Sequence, residues 1–519
     1  MSDEFRRKRK LTTRRDNQYV IWLPFLYTYR TDTRRPRPRL REGVIKTMND
    51  IVSRPPPLDT SADAQLRSEA AAVATHAERK PRIVIVGGGF GGVAAARALR
   101  KSDAEVFLID RRNHHIFQPL LYQVATAVLS PSEVAAPIRQ LARKQKNLSV
   151  MLAEVTDLDL KSRSVTIRSD GIGTRIVPFD YLILAPGMQA SYFGHDEFAE
   201  YAPSLKTLAD GETIRAKILG AYEKAELAED PAERARLLTF VLVGAGPTGV
   251  ELAASIAQMA TITFHSNFRN IDPSKTSITL LDGAKRILPS FAESLSRKAA
   301  KRLDRLGVKI LTDAKVDKVD DQGVIVAGKR LESATVLWTA GVAPSPILKG
   351  LNAKTDRVGR VCVTPFLTLP DHESVFVVGD GAMLAQTDGR PLPGVAQVAI
   401  QEGRYVGRFI MARIRTGRAP TRPFRYFDKG NMAVVGKNFA ILETHRIRLS
   451  GFAIWLVWAF IHLMFLPQLQ NRLRVERQWL WSYLTGQRSS RLIPESDWSL
   501  TRRAPSKAHA DRNTASSPV

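Results

Sequence analysis

Two glycine-rich segments carry the clearest chemistry in this 519-residue sequence. Gly87-Gly88-Gly89-Phe90-Gly91-Gly92 and Gly244-Ala245-Gly246-Pro247-Thr248-Gly249 both contain the pattern G-x-G-x-x-G. Glycines at this spacing let a backbone approach a pyrophosphate, and a helix starting there turns its positive end toward the phosphates. Gly87, Gly89 and Gly92 are the pattern glycines of the first segment; Gly244, Gly246 and Gly249 are those of the second. An acid follows each, Asp110 and Asp282. A carboxylate at that place accepts a hydrogen bond from a ribose hydroxyl and repels a 2′-phosphate. Asp282 thus predicts NADH over NADPH, although Lys285 and Arg286 stand close enough to soften that preference.

The pattern has meaning only between a strand and a helix, and both copies sit there. Ile83-Val84-Ile85-Val86 is a β-branched run of the kind buried in parallel sheets. A helix over Val93–Lys101 and a strand over Glu105–Ile109 follow, and that strand ends at Asp110. In the second copy a strand over Thr239–Val243 leads to a helix from Val250 to about Met259, then to a strand over Ser277–Leu281. Thr261–Lys275 reads as an inserted loop. Gly87 and Gly244 lie too far apart for two halves of one sheet, so the chain holds two dinucleotide sites.

The 77 Lys+Arg against 51 Asp+Glu give a net charge of +26, and hydrophobic residues make up 44% of the chain. This is a globular composition with room for two or three domains. The charge sits at the ends. Residues 1–47 carry fourteen basic residues and five acids, and residues 440–519 carry eleven and five. The first eighty residues, with Arg35-Pro36-Arg37-Pro38 and Pro55-Pro56-Pro57, read as a basic tail and linker. Arg14-Arg15 partly resembles a twin-arginine leader, but Pro24 interrupts the apolar run and no cleavage site follows. A start at Met48 is the other reading. A single cysteine, Cys362, excludes a disulfide framework, a Cys-rich zinc site and any C-x-x-C redox pair. No metal is implied.

Further segments resemble two-dinucleotide flavoproteins. A strand over Ser374–Val378 enters Gly379-Asp380-Gly381, which in that superfamily sets a carboxylate on the flavin's ribityl chain. Tyr181–Gly187 resembles its A-T-G crossing segment, with Pro186 in place of Thr and hence no amide donor there. The lone cysteine removes disulfide reductases and sulfide:quinone oxidoreductases. His114–Thr126, Trp338–Val342, Ala396-Gln397-Val398-Ala399-Ile400-Gln401-Glu402-Gly403 and Phe424–Gly430 resemble the type II NADH:quinone dehydrogenases, over about Pro81 to Ile493.

That resemblance implies FAD as cofactor at the first loop, with Gln118, Val155, Gly379, Asp380 and Gln397 beside it, and NADH as substrate at the second. It implies Gln397 and Gln401 beside a quinone headgroup, Glu251 near nicotinamide and quinone as a proton route, and Lys429 as a donor to reduced quinone. A breaker at Pro391–Gly394 predicts a helix from near Val395, whose N-terminus would stabilise negative charge on the flavin. The fold class is α/β: a discontinuous FAD domain, an inserted NADH domain and a C-terminal helical membrane-anchoring region. The segments are 1–80 (tail), 81–236 (FAD domain, first part), 237–342 (NADH domain), 343–438 (FAD domain, second part), 439–495 (anchor) and 496–519 (tail).

Leu449–Leu466 is nearly all apolar but short for a membrane span; Arg446, Arg448, Arg472, Arg474 and Arg477 flank it, with Trp455, Trp458, Trp479, Trp481 and Tyr483 near. An interfacial anchor is the preferred reading, ahead of a core helix or a span. His462 within it reads as structural. The expected partners are a membrane quinone and the membrane surface, with no nucleic acid; a homodimer stays open. The expected place is peripheral, on the cytoplasmic face of the cell inner membrane. The alternative is a soluble NADH-dependent flavoprotein reductase serving a protein acceptor.

Overall fold

A computed structural model describes residues 79–386 and 389–494. The two tails predicted at the ends fall outside the described residues, apart from 79 and 80.

The glycine loops are built into two sheets of the same plan. In chain order, strand β1 is Arg82–Val86, helix α1 Phe90–Ala98, β2 Glu105–Asp110, β3 Leu148–Leu152, β4 Tyr181–Leu184 and helix α2 Leu208–Leu227. Then come β5 Thr239–Val243, α3 Pro247–Gln258, β6 Ser277–Leu281, β7 Val308–Leu311 and β8 Thr335–Trp338. Last are β9 Thr368–Leu369, β10 His372–Val377, and helices α4 Ala396–Thr416, α5 Phe452–Phe465 and α6 Leu469–Thr485. The first sheet runs β9-β10-β4-β1-β2-β3 and the second β7-β6-β5-β8. All pairings are parallel except β9 with β10. The first sheet takes strands from both sides of the second in sequence.

Ile83, Val84 and Ile85 in β1 and Phe240, Val241 and Leu242 in β5 are fully buried, as strands covered on both faces must be. Each inner strand meets its neighbours without a break at the loop. Gly87 N donates to Ile109 O (2.8 Å) and Ala185 N to Val86 O (2.8 Å); Gly244 N donates to Leu281 O (2.7 Å) and Thr339 N to Val243 O (2.7 Å). Both loop helices begin earlier than expected, at Phe90 and Pro247, because the last pattern glycine lies inside the first turn. The segment 261–275 is not all loop: a π-helical turn over Met259–Thr263 continues α3.

Helix α4 lies along α1. A Cβ on Gly403 would meet the Gly91 carbonyl and one on Gly407 would stand 2.6 Å from Ala98, so glycines permit the close crossing. α2 packs into the hydrophobic cluster of the second sheet, with Ile214, Ile218 and Tyr222 buried beside Phe240 and Leu337.

The apolar run at 449–466 is not one element. Its first three residues complete a strand, Arg448–Gly451, and α5 follows with fourteen residues. Fourteen residues rise about 21 Å, short of the roughly 30 Å hydrocarbon core. Among the described residues no helix is long and apolar enough to cross a membrane. The hairpin α5–α6 has two faces. Ile454, Trp458, Leu466 and Val475 are buried in the core, while Phe460, Leu469, Leu480, Trp481 and Leu484 are exposed. Trp458 and Trp479, expected at an interface, are packing residues instead. Their rings stack at 5.5 Å, and Trp479 Nε1 donates to Gln123 Oε1 (2.7 Å). His462 is half-buried; its Nδ1 donates to Trp458 O (2.7 Å), and desolvation lowers its pKa to about 4.

Candidate active site between two glycine loops

The first loop opens onto a cleft of about 800 Å³, within the usual range for cofactor sites. Gly87, Gly89, Asp110, Gln118, Val155, Gly379 and Asp380 all line it, joined by Ala396 and Ala399 from α4. Gly87 has φ +103°, and a side chain there would run into the Ala185 carbonyl. A Cβ on Gly92 would strike the carbonyl of Gly87. Gly89, by contrast, faces open space, as the glycine nearest a pyrophosphate should. Asp110 does more than wait for a ribose. Its Oδ2 accepts from Gly88 N (2.6 Å) and its Oδ1 from Arg112 N (2.7 Å), which fixes the loop.

The far wall comes from the second half of the chain. Burial raises the Asp380 carboxyl above its ordinary pKa, and the cations Lys206 and Arg360 oppose the rise. Burial likewise lowers Lys206. α4 starts at Ala396, and its N-cap residue Val395 provides no side-chain cap. The N-terminal end of α4 therefore stands at the cleft wall, where its dipole favours negative charge.

Glu402 was not singled out from the sequence. It is 1% exposed, and its Oε2 accepts from Gly379 N (2.5 Å). It therefore ties α4 to the Gly379-Asp380 turn. Burial raises its pKa to about 8, with Asp380 adding to the rise and the Gly379 N–H opposing it. An acid in the second turn of a helix is no signal by itself; only its place one residue past Gln401 within the quoted block hinted at it.

The paired glutamines are largely spent on the chain. Gln401 Nε2 donates to Phe427 O (3.0 Å) and its Oε1 accepts from Phe427 N (3.0 Å). Gln397 Nε2 donates to Gly430 O (2.9 Å). Gln397 Oε1 is buried without a partner among the described residues, and so is left for a donor. Both residues thus hold the 427–430 turn on α4. Lys429, on that turn, is exposed, with Nζ 5.7 Å from the Phe465 ring.

The second loop repeats the first. Gly244 has φ +105°, a Cβ on Gly249 would strike the Gly244 carbonyl, and Gly246 faces open space. Asp282 Oδ2 accepts from Ala245 N (2.5 Å) and Oδ1 from Ala284 N (2.7 Å). Arg286 donates to the carbonyls of Leu288, Pro289 and Phe291, so its guanidinium is committed to the chain, while Lys285 is exposed. Glu251, two residues past Gly249, accepts from Val434 N (3.4 Å). Burial raises it to about 8, so it carries a proton at neutral pH. Burial also pushes the Tyr122 hydroxyl well up, and the neighbouring Glu251 adds to that rise. The fit to two dinucleotides therefore stands on both loops.

A family model for pyridine nucleotide-disulphide oxidoreductases matches residues 81–403. The type II NADH:quinone oxidoreductase Ndh of Mycobacterium tuberculosis is 43% identical over 428 residues, covering 80% of this chain and 91% of that one. The chain belongs to the type II NADH:quinone oxidoreductase family. Its lone Cys362 provides no disulfide pair of the kind the broader model is named for. A more distant relative is an internal alternative NAD(P)H-ubiquinone oxidoreductase of Arabidopsis thaliana mitochondria, 29% identical over 448 residues, covering 80% of this chain and 87% of that one. The structure of NDH2 from Plasmodium falciparum in complex with NADH has the same fold: TM-score 0.74 at 20% identity, covering 79% of this chain and 99% of that one.

Proposed function

We infer that the protein oxidises NADH at the second glycine loop and passes two electrons through FAD at the first to a membrane quinone, without pumping protons. One observation carries this reading: a chain 43% identical to a type II NADH:quinone oxidoreductase keeps both loops sterically clear at Gly89 and Gly246. When bound, FAD accepts a hydride from NADH and returns two electrons. The chain does the rest. Gly87, Gly92 and Asp110 hold the loop for the FAD pyrophosphate and ribose, and Asp380 faces the cleft. The N-terminus of α4 places positive potential on the cleft. Asp282 binds the NADH ribose. Glu251, protonated at neutral pH, supplies a proton toward quinone, with Lys429 and the turn held by Gln397 and Gln401 beside the quinone's path.

The quinone reaches that path from the lipid. The exposed apolar side of α5–α6, from Phe460 to Leu484, fits an interfacial seat, and Arg446 and Arg474 beside it suit anionic lipid. The protein is peripheral, on the cytoplasmic face of the inner membrane. Steady-state NADH oxidation with a short-chain quinone and with a ferredoxin-type acceptor tests the reaction: quinone should be reduced rapidly, and reduction of the protein alone would reverse the reading. Flotation with anionic vesicles tests the seat. A Leu480→Glu/Trp481→Glu variant should stay in the soluble fraction, and undiminished flotation would refute the seat.

A further inference from the structure

One exposed aromatic is held on a backbone that should not suit it. Phe193 has φ +56° and is 68% exposed. Left-handed backbone is costly for a bulky L-residue. Leu288 and Leu367 also have positive φ, but both are fully buried, where packing offsets the strain. Phe193 has no such burial. Its perch is nonetheless built. The neighbouring Tyr192 is buried and its hydroxyl donates to Ala202 O (2.8 Å). Trp338 Nε1 donates to Ser191 O (2.9 Å), and Phe193 N donates to Ser191 Oγ (3.2 Å).

The perch overlooks the second loop from a defined side. Met188–Ala190 pairs with Val342–Pro344, the two segments that cross between the sheets. The Phe193 ring lies over Gly341: a Cβ built on that glycine would be 2.6 Å from Cζ. Gly341 follows Thr339 by two residues, and Thr339 Oγ1 donates to Gly244 O (2.7 Å). The ring therefore stands two residues from a contact with the glycine loop. In the second sheet β6 and β8 flank β5 on opposite sides. Asp282 follows the end of β6, so the adenosine ribose lies on that side. The other half of a dinucleotide must extend over β8, which is the side Phe193 occupies. Gln189 and Ala190, a few residues before it, line the first cleft. Phe193 thus follows residues of the first cleft in the chain and lies over Gly341 beside the second loop.

We propose that Phe193 is a binding residue for the nicotinamide half of the dinucleotide, its ring packing against the pyridine ring or its ribose. The proposal rests on the reading of the second loop as the NADH site. Phe193→Gly removes the ring while keeping a residue that accepts left-handed φ. We expect its FAD content and Tm to match the wild type. Its Kd for NAD+ should rise about tenfold, the loss of one aromatic stack, and its Kd for ADP-ribose, which has no nicotinamide, should not change. Phe193→Tyr should restore NAD+ binding. Reoxidation of the dithionite-reduced enzyme by a short-chain quinone should keep its wild-type rate. NAD+ affinity unchanged in Phe193→Gly overturns the proposal, as does equal weakening of ADP-ribose. Loss of FAD or a lower Tm with the weaker binding also overturns it, because the ring would then be structural. If NADH fails to bleach the wild-type flavin, the reading of the loop fails instead, and that result is separate from any effect of the variant.

Discussion

The two glycine loops have the same backbone but different surroundings. From Gly87 to Gly244 the offset is 157 residues, and at that offset Ala94 on α1 corresponds to Glu251 on α3. Ala94 is buried on a helix roofed by α4, whose Gly403 and Gly407 bring the two helices together. Glu251 is a protonated acid against the backbone of Val434. The first loop is enclosed by segments from 86 to 399, which suits a resident cofactor. The second keeps a chemical group where the first keeps packing, which suits a substrate that must arrive, react and leave. The same loop geometry thus serves two settings, one enclosed and one carrying an ionisable group.

The strongest way to break this comparison is to block each loop in turn. Gly92→Ala drives a methyl into the Gly87 carbonyl. It should give colourless protein with no activity, measured by flavin absorbance. Gly249→Ala, which meets both Gly244 and Thr339, should keep the flavin and its reoxidation by quinone, yet lose NADH reduction by about a hundredfold or more. If both variants lose flavin, the loops are not functionally separate. Next in size is Glu402. Glu402→Ala leaves the half-buried Gly379 N–H without its partner, which costs about 1 kcal/mol. FAD should dissociate about tenfold or more faster, read by released fluorescence, while Glu402→Gln should stay near wild type.

Asp282→Ala probes the second loop alone. It removes the ribose acceptor and the repulsion of a 2′-phosphate, so KM for NADH should rise about tenfold and the preference over NADPH should shrink. Unaltered discrimination would assign specificity elsewhere. The smallest expected effect is on pH. Glu251 is raised to about 8 in the folded protein, above an unfolded value near 4.3. It is therefore protonated and harmless below the unfolded value, and its burial costs stability progressively as pH rises from there to about 8. The quinone half-reaction should fall severalfold above pH 8. Glu251→Gln should flatten the rate profile and lessen the loss of Tm between pH 5 and 8, Glu402, raised to about 8 as well, keeping the remainder.

Whatever depended on neighbours in the chain was legible from the sequence. Strand ends at Val86, Asp110, Val243 and Leu281 match the structure because hydrophobic runs and glycine spacing are local signals. Residues whose role comes from a distant partner were not legible. Glu402 matters through Gly379, Trp479 through Gln123, and Phe193 through Gly341; no pattern within a dozen residues announces any of these. The glutamines were legible as a pair but not as struts, since their partners at 427 and 430 lie a turn and a loop away. In the apolar 449–466 run the division between core-facing and exposed side chains was not legible, for the same reason. Its burial depends on which face the core takes, and a run hydrophobic all round does not tell.

The C-terminal end sets the order in which the molecule can be completed. Arg488 is buried, donating to Thr126 O (2.7 Å) and Ser255 O (2.8 Å), while Thr126 Oγ1 and Ser255 Oγ share a bond of 2.8 Å. Those two carbonyls belong to segments made hundreds of residues earlier. On a ribosome they emerge, and the sheets around them pair, long before their closing residue exists. The hairpin α5–α6 is made just before Arg488. Its exposed apolar face thus exists while the seam between residues 126 and 255 is still open, and closure of the enzyme body becomes a late event of biosynthesis. Truncation ahead of residue 488 should therefore yield a chain that holds both sheets yet lacks its final lock.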